Sequence, residues 1–362
     1  MAANVTATVN YDPELAAALA ANPAFSQAPP APPPGVSEWE FARQMTKMMS
    51  GGMADYYKER LPDPSQYIVS DKRVPVEGPD GEITVRFVRP SGGDEDTYPV
   101  LVWCHGGWVV GDLDMDDNNL RTIAVELKLA IVNVEYRLAP DYPFPAPFED
   151  SYTALKWVAE NAAELKVDLK KGFIVGGDSA GANMAAAMAI KARDDPFFAG
   201  RPLTGQYLRE PPVAYPGAHP EKYKAAIRSF DIYTHMPMMN KKTLLHYFGV
   251  SSPVTELCVL LITMALPEAY GPPPSDLRVS PILASSHAGL PPAFIQVLEL
   301  DLIRDDGIVY EQVLREAGVP AKLIQYPGCF HAFHYVFPSI SSAVKLDRDA
   351  REGIRWLLSQ PN

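Results

Sequence analysis

Gly172-Phe173-Ile174-Val175-Gly176-Gly177-Asp178-Ser179-Ala180-Gly181 is the stretch on which the fold turns. It starts as a short apolar run and leads into a helix-forming segment, Ala182 to Arg193. Strand, sharp turn and helix therefore follow one another, with a serine at the apex. A serine in that position is lifted clear of the sheet, and flanking glycines let neighbouring backbone approach closely. Gly-x-Ser-x-Gly also suits an ordinary strand-to-helix turn, so the surroundings must decide whether Ser179 is a nucleophile.

Outward from this turn the chain alternates strand and helix from about residue 66. Strands are predicted at Ile83 to Val88, Val100 to Cys104, Ala130 to Glu135, Phe173 to Val175, Ala293 to Leu298 and Lys322 to Tyr326. Helices are predicted near 119–128, 148–165, 180–193, 306–317 and 345–359. Apolar runs between amphipathic helices predict an α/β fold with a mostly parallel central sheet covered on both faces. Residues 196–275, rich in Pro, Tyr and Met, break the rhythm and are expected to hold an inserted cap segment. Within them Val254 to Ala265 reads as a buried helix, too short to span a bilayer, which takes about 20 apolar residues. Near the N-terminus, residues 13–22 look helical and Ala28 to Pro34 (APPAPPP) reads as a polyproline linker. Phe41, Met45, Met48 and Met49 then share one helix face, a stripe that suits a cap over an apolar pocket.

Composition narrows the function classes. The 362 residues suffice for one large domain with a cap, or for two smaller domains. A net charge of −12 disfavours nucleic acid and anionic membrane surfaces, which select clustered Lys and Arg. The three cysteines, Cys104, Cys258 and Cys329, have neither the spacing of a metal site nor the count of a disulfide framework. No Lys or Arg precedes Arg43, so neither a secretory signal nor a transit peptide is expected, and the setting inferred is cytoplasmic.

A serine nucleophile needs a base, an acid to orient it and a site for the oxyanion, in the chain order Ser, acid, His. Gln296 to Asp306 supplies four acids. Asp301, just past the strand end, is favoured, with Glu299 as its competitor; Asp305 and Asp306 read as first-turn helix acids. Tyr326 to His334 supplies His331, in the loop after the last strand, and His334 three residues on. Oxyanion donors are expected from the N–H of Ala180 and from the glycine turn of Cys104-His105-Gly106-Gly107-Trp108.

These residues resemble the hormone-sensitive-lipase-like family of α/β-hydrolases, carboxylesterases with a His-Gly-Gly-Gly turn. Five blocks carry the resemblance: CHGGWVVGD (Cys104 to Asp112), YRLAPDYPFPAPFED (Tyr136 to Asp150), GGDSAGANMA (Gly176 to Ala185), DLIRDDG (Asp301 to Gly307) and GCFHAF (Gly328 to Phe333). It spans roughly residues 65 to 357. It implies the α/β-hydrolase fold, with Ser179 as nucleophile, Asp301 as acid, His331 as base, and the N–H groups of Gly106, Gly107 and Ala180 as oxyanion hole. It further implies a helical cap from residues 1–55 and 205–260 on a catalytic domain of 56–204 and 261–362. The expected substrate is a short- to medium-chain ester, with no metal and no cofactor, no nucleic-acid partner, no stable membrane insertion, and a monomer or homodimer. Trp108, Asp178, Phe330, Phe333, Met45 and Met48 are the expected pocket residues. The chain departs from the family at two points. The turn after His105 has one glycine fewer, so either His105 or Cys104 stands at the family's histidine, and Ala332 replaces a common glycine. A specialised natural-product ester or lactone, a lyase or acyltransferase reaction, or a binder without catalysis would use the same scaffold.

Overall fold

A computed structural model describes residues 9–26, 30–79, 81–93, 95–248 and 270–361. The helix expected at Val254 to Ala265, and Cys258, lie outside these residues. Two helices, α1 (Pro13–Ala21) and α2 (Glu38–Lys58), precede a sheet built from β1 (Tyr67–Pro75), β2 (Glu82–Pro90), β3 (Val100–Cys104), β4 (Ala130–Glu135), β5 (Phe173–Asp178), β6 (Gly205–Arg209), β7 (Ala293–Leu298) and β8 (Ala321–Tyr326). The eight strands lie in the order β1-β2-β4-β3-β5-β6-β7-β8. Pairing is antiparallel from β1 to β4 and parallel from there to β8.

The central strands are buried along their whole length, as the apolar runs predict. Alternation along β3 sends Leu101 and Trp103 to one face, and Val100, Val102 and Cys104 to the other. On the first face lie α3 (Asp117–Leu127) and the C-terminal helix Ser341–Leu358, through Leu120, Ile123, Ile354 and Leu357. On the second lie α4 (Ala146–Glu160) and α5 (Ala180–Asp194), through Phe148, Leu155, Met184 and Met188. Alanines dominate α5 because it runs almost wholly buried against the sheet.

Two strands were not visible in the sequence pattern. β1 is half-exposed at the sheet edge and carries Ser70, Asp71, Lys72 and Arg73, which mask its alternation. β6 lies in the middle of the sheet, yet its Gln206, Tyr207 and Arg209 look unsuited to a core. Each has a partner supplied only by the fold: Pro291 O for Gln206, the Gln296 side chain for Tyr207, and Asp178 for Arg209. The expected start of a cap insertion at residue 205 is therefore corrected. Residues 205–209 belong to the sheet, and the irregular stretch begins at Glu210, with short helices at Glu221–Lys224, Ser229–Ile232 and Lys241–Tyr247.

Candidate active site

Neighbouring parallel strands end at one edge of the sheet, where an α/β fold opens its crevice. β3 delivers the glycine turn, β5 Ser179, β6 Glu210, β7 the segment with Asp301, and β8 the loop with His331.

Ser179 adopts φ 51° and ψ −113°, a conformation rarely held by a side-chain-bearing residue and one that stores about 1–3 kcal/mol. Its N–H donates to Arg209 O at 2.7 Å, which holds the turn against β6. The glycines on either side are required by contact with β3. A Cβ on Gly177 would lie 2.6 Å from Cys104 O, and one on Gly181 only 2.0 Å from the same atom.

From this turn runs a chain of short contacts. Ser179 Oγ lies 3.0 Å from His331 Nε2, and His331 Nδ1 lies 2.7 Å from Asp301 Oδ2. The other Asp301 oxygen accepts the Ile303 N–H at 3.0 Å. All three residues are buried, Ser179 at 9% exposure and His331 at 4%. The structure thus brings together Ser179, His331 and Asp301 and leaves out the competitor Glu299, which accepts the Gly328 N–H at 2.7 Å and braces the histidine loop. Asp305 and Asp306 occupy the first turn of the helix Arg304–Glu316. There they tie down the stretch after β6, accepting the N–H groups of Arg228, Ser229 and Val213.

Burial alone would keep the His331 ring neutral. The Asp301 carboxylate, with Glu210 behind it, outweighs burial and pushes the ring's pKa above its ordinary value. His334 is buried in the same region, where the Asp178 and Asp116 carboxylates are too weak to offset burial. Desolvation, reinforced by Arg209, drops it to about 3, so it is a neutral ring. Its Nδ1 approaches a Glu210 oxygen at 3.3 Å, which is therefore not an ion pair.

The glycine turn leaves the sheet directly after Cys104, whose thiol is fully buried and pushed up to about 12 by desolvation. His105 comes next, its ring stacked on Tyr136 at 4.2 Å between centroids. The Tyr136 hydroxyl donates to the carbonyls of His105 and Gly107, at 2.9 and 2.8 Å. Because a trans peptide opposes its C=O and N–H, the Gly106 N–H points away from Tyr136. Gly106 also lies next to Ser179: a Cβ on it would stand 3.6 Å from Ser179 Cβ. Gly107 has φ +86°, and a Cβ there would meet Val110 at 2.5 Å. Ala180 opens α5, where the first N–H groups have no partner within the helix.

The expected pocket needs correction. Asp178 faces no substrate space: its carboxylate is buried and paired with Arg209 at 2.6 Å, and Arg209 in turn holds Asp116 at 3.0 Å. Phe330 and Phe333 are fully buried and pack in one apolar cluster with Leu15 and Leu19 of α1. Met48 is 66% exposed and points away from the core, while Met45 on the same helix is half-buried. Trp108 is buried, stacked on Tyr270 at 5.0 Å with Phe248 edge-on at 5.1 Å. A cavity of about 260 Å³ opens between α2 and the segment after the glycine turn, lined among others by Arg43, Lys47, Gly111 and Asp112.

Sequence reasoning missed Arg209 and Glu210. The available signal is a charged pair, Arg209-Glu210, set between Tyr207-Leu208 and Pro211-Pro212. Asp178, Glu210 and His334, and likewise Glu210, Asp301 and His331, bring their donor atoms within 4.8 Å of one another. These are the buried contacts already described, and the Arg209 charge beside Asp178 opposes a cation there.

The fold and this constellation define an esterase-like α/β hydrolase. Residues 101–335 match a family model described as alpha/beta hydrolase fold, and the chain belongs to that family, in its hormone-sensitive-lipase-like branch. Carboxylesterase NlhH of Mycobacterium tuberculosis is 36% identical over 252 residues, 68% of this chain and 71% of that protein. Versiconal hemiacetal acetate esterase of Dothistroma septosporum is 34% identical over 271 residues, 74% and 76% of the two chains. Among solved structures, vibralactone cyclase superposes with a TM-score of 0.82 at 36% identity, over 97% of this chain and 95% of its own. An esterase of Pyrobaculum calidifontis does so at 0.76 and 28% identity, over 97% and 100%. No helix among the described residues is long and apolar enough to cross a membrane.

Proposed function

We propose that this protein is a serine carboxylesterase acting through an acyl-enzyme on short- to medium-chain esters. The observation that carries the reading is the continuous contact from Ser179 Oγ through the His331 ring to Asp301, at 3.0 and 2.7 Å. His331 Nε2 takes the hydroxyl proton as Oγ attacks the ester carbonyl. The oxyanion is received by the N–H groups of Gly106, Gly107 and Ala180. His331 then gives its proton to the leaving alcohol, and water repeats the sequence to free the acid. Asp301 keeps the Nδ1–H in place and stabilises the cationic ring. Trp108 and Met45 flank the acyl site, under a cap formed by the N-terminal helices and the stretch after Arg209.

The test is turnover of p-nitrophenyl acetate, butyrate, octanoate and palmitate by the wild type beside Ser179→Ala. Turnover that falls off beyond medium chains and vanishes in the variant supports the reading. Equal turnover in the two preparations overturns it.

A second reading concerns the physiological substrate. The similarity to vibralactone cyclase over 97% of the chain, and to an esterase named for a hemiacetal acetate, favours a specialised natural-product ester. If a hydroxyl of the bound acyl chain displaces Ser179 instead of water, the product is a lactone. Product analysis of hydroxyacyl esters by mass separates the two outcomes, since hydrolysis adds water and ring closure does not.

A further inference from the structure

The stretch after β6 places a second acid on the imidazole. Glu210 Oε2 lies 3.0 Å from His331 Nδ1, against 2.7 Å for Asp301 Oδ2. We propose that Glu210 is a positioning residue that shares the His331 Nδ1–H with Asp301 and secures the tautomer in which Nε2 receives the Ser179 proton. The inference rests on the Ser179–His331–Asp301 reading and deepens it.

Three observations bear on it. First, Glu210 is fixed from both ends. Its N–H donates to Gln296 O at 2.9 Å, and the oxygen facing His331 also accepts the Ala332 N–H at 2.8 Å. Secondly, its backbone has φ +54°, and Ala332, next to the histidine, has φ +60°. Two side-chain-bearing residues in the left-handed region face each other across one hydrogen bond, an arrangement kept only where surrounding structure enforces it. Thirdly, the side chain is fully buried. A glutamine would accept the Ala332 N–H equally well and bury no charge. What the carboxylate adds is negative charge beside a ring that becomes cationic during the reaction.

Among the described residues, the other charged or titratable groups facing this site are Asp178 from the end of β5, Arg209 beside Glu210, Asp116, the Tyr335 hydroxyl and the neutral ring of His334. Burial lifts Glu210 to about 7; His331 and Arg209 oppose that shift and Asp301 adds to it. Glu210 and His331 therefore titrate as a unit. During the reaction only the Ser179 proton moves, to Nε2, while the Nδ1–H stays between the two carboxylates.

Two variants test this. Where a triad has one acid, an amide in its place imposes the wrong tautomer and lowers kcat about 10⁴-fold. Here Asp301→Asn leaves Glu210 as an acceptor, so a loss of only about 10²-fold is expected, deepening to about 10⁴-fold when Glu210→Gln is added. Glu210→Gln alone keeps the Ala332 contact and should shift the acid limb of kcat/KM to lower pH, because one of the charges raising the His331 pKa is gone. A full 10⁴-fold loss in Asp301→Asn, unchanged by adding Glu210→Gln, overturns the proposal, as does an unmoved acid limb in folded Glu210→Gln. If Glu210→Gln fails to fold, the residual rate of Asp301→Asn still decides. Ser179→Ala is the control: turnover surviving there removes the triad reading itself, whereas an inert Ser179→Ala beside an unmoved Glu210→Gln removes Glu210 alone.

Discussion

Ser179 is held in a strained turn, and its hydroxyl lies 3.0 Å from the basic His331 Nε2. Ser179→Ala should therefore lower kcat on the order of 10⁶-fold, as in comparable triads, with the fold intact; stopped-flow release of p-nitrophenol measures it. Because Asp301 and Glu210 raise the His331 pKa, the neutral ring dominates only at higher pH. The rise of kcat/KM should accordingly have its midpoint above the ordinary histidine value of about 6.5 in a pH–rate profile. Arg209 is the counter-charge for Asp178 and Asp116, both buried. Arg209→Met strands those carboxylates and should destabilise the protein by about 3–5 kcal/mol in urea unfolding. The contrast with the sequence is sharpest here. Ser179, His331 and Asp301 announce themselves through position along the chain, because each follows a readable strand. Asp178 does not: a carboxylate beside a nucleophile looks like a binding group until Arg209, thirty-one residues away, is seen against it.

At the scale of elements, legibility followed polarity. β3, β4, β5 and β7 are mainly apolar and can be read directly, and β8 is legible from Leu323, Ile324 and Tyr326. β6 is not, because Gln206, Tyr207 and Arg209 find their partners only across the finished sheet. Glu210 goes with it: the sequence pattern places it in a cap, and the structure places it directly after the end of β6. Phe330 and Phe333 are hard to place from sequence for a related reason: an aromatic in the histidine loop packs wherever the fold supplies apolar partners, and here these include Leu15 and Leu19 of α1. The Asp12 N–H donates to Gly328 O at 3.0 Å, and Leu15 and Leu19 pack among these aromatics. Leu15→Ala should weaken that docking by about 2–5 kcal/mol. The expected signature is faster hydrogen exchange across residues 328–337 and a lower kcat, with little change in KM.

For the molecule as a whole, two buried histidines frame the pH range of stability. His334 stays neutral in the fold down to about 3, whereas the unfolded chain binds that proton near 6.5. Stability from this residue is thus present above about 6.5 and lost progressively as pH falls toward 3. His331 has the opposite sign: its raised pKa contributes fully below about 6.5 and fades as pH rises through the folded value. Thermal unfolding should show a maximum Tm near neutrality. His334→Leu should flatten the acid side of that curve; an acid limb identical to the wild type would mean that other groups set it.

The docking of α1 also has a consequence for how the protein is made. Ser341 donates to Glu14, a partner 327 residues earlier in the chain. At about 5–20 residues per second, the ribosome releases α1 roughly 15–60 s before the surface it covers. Through that interval Leu15 and Leu19 have no aromatic loop to bury against, and the loop, once made, is finished only when α1 returns to it. The site around Ser179 is therefore completed only after Ser341–Leu358 has emerged, and a ribosome-stalled chain lacking that helix should be inactive even though Ser179 and its sheet are already out.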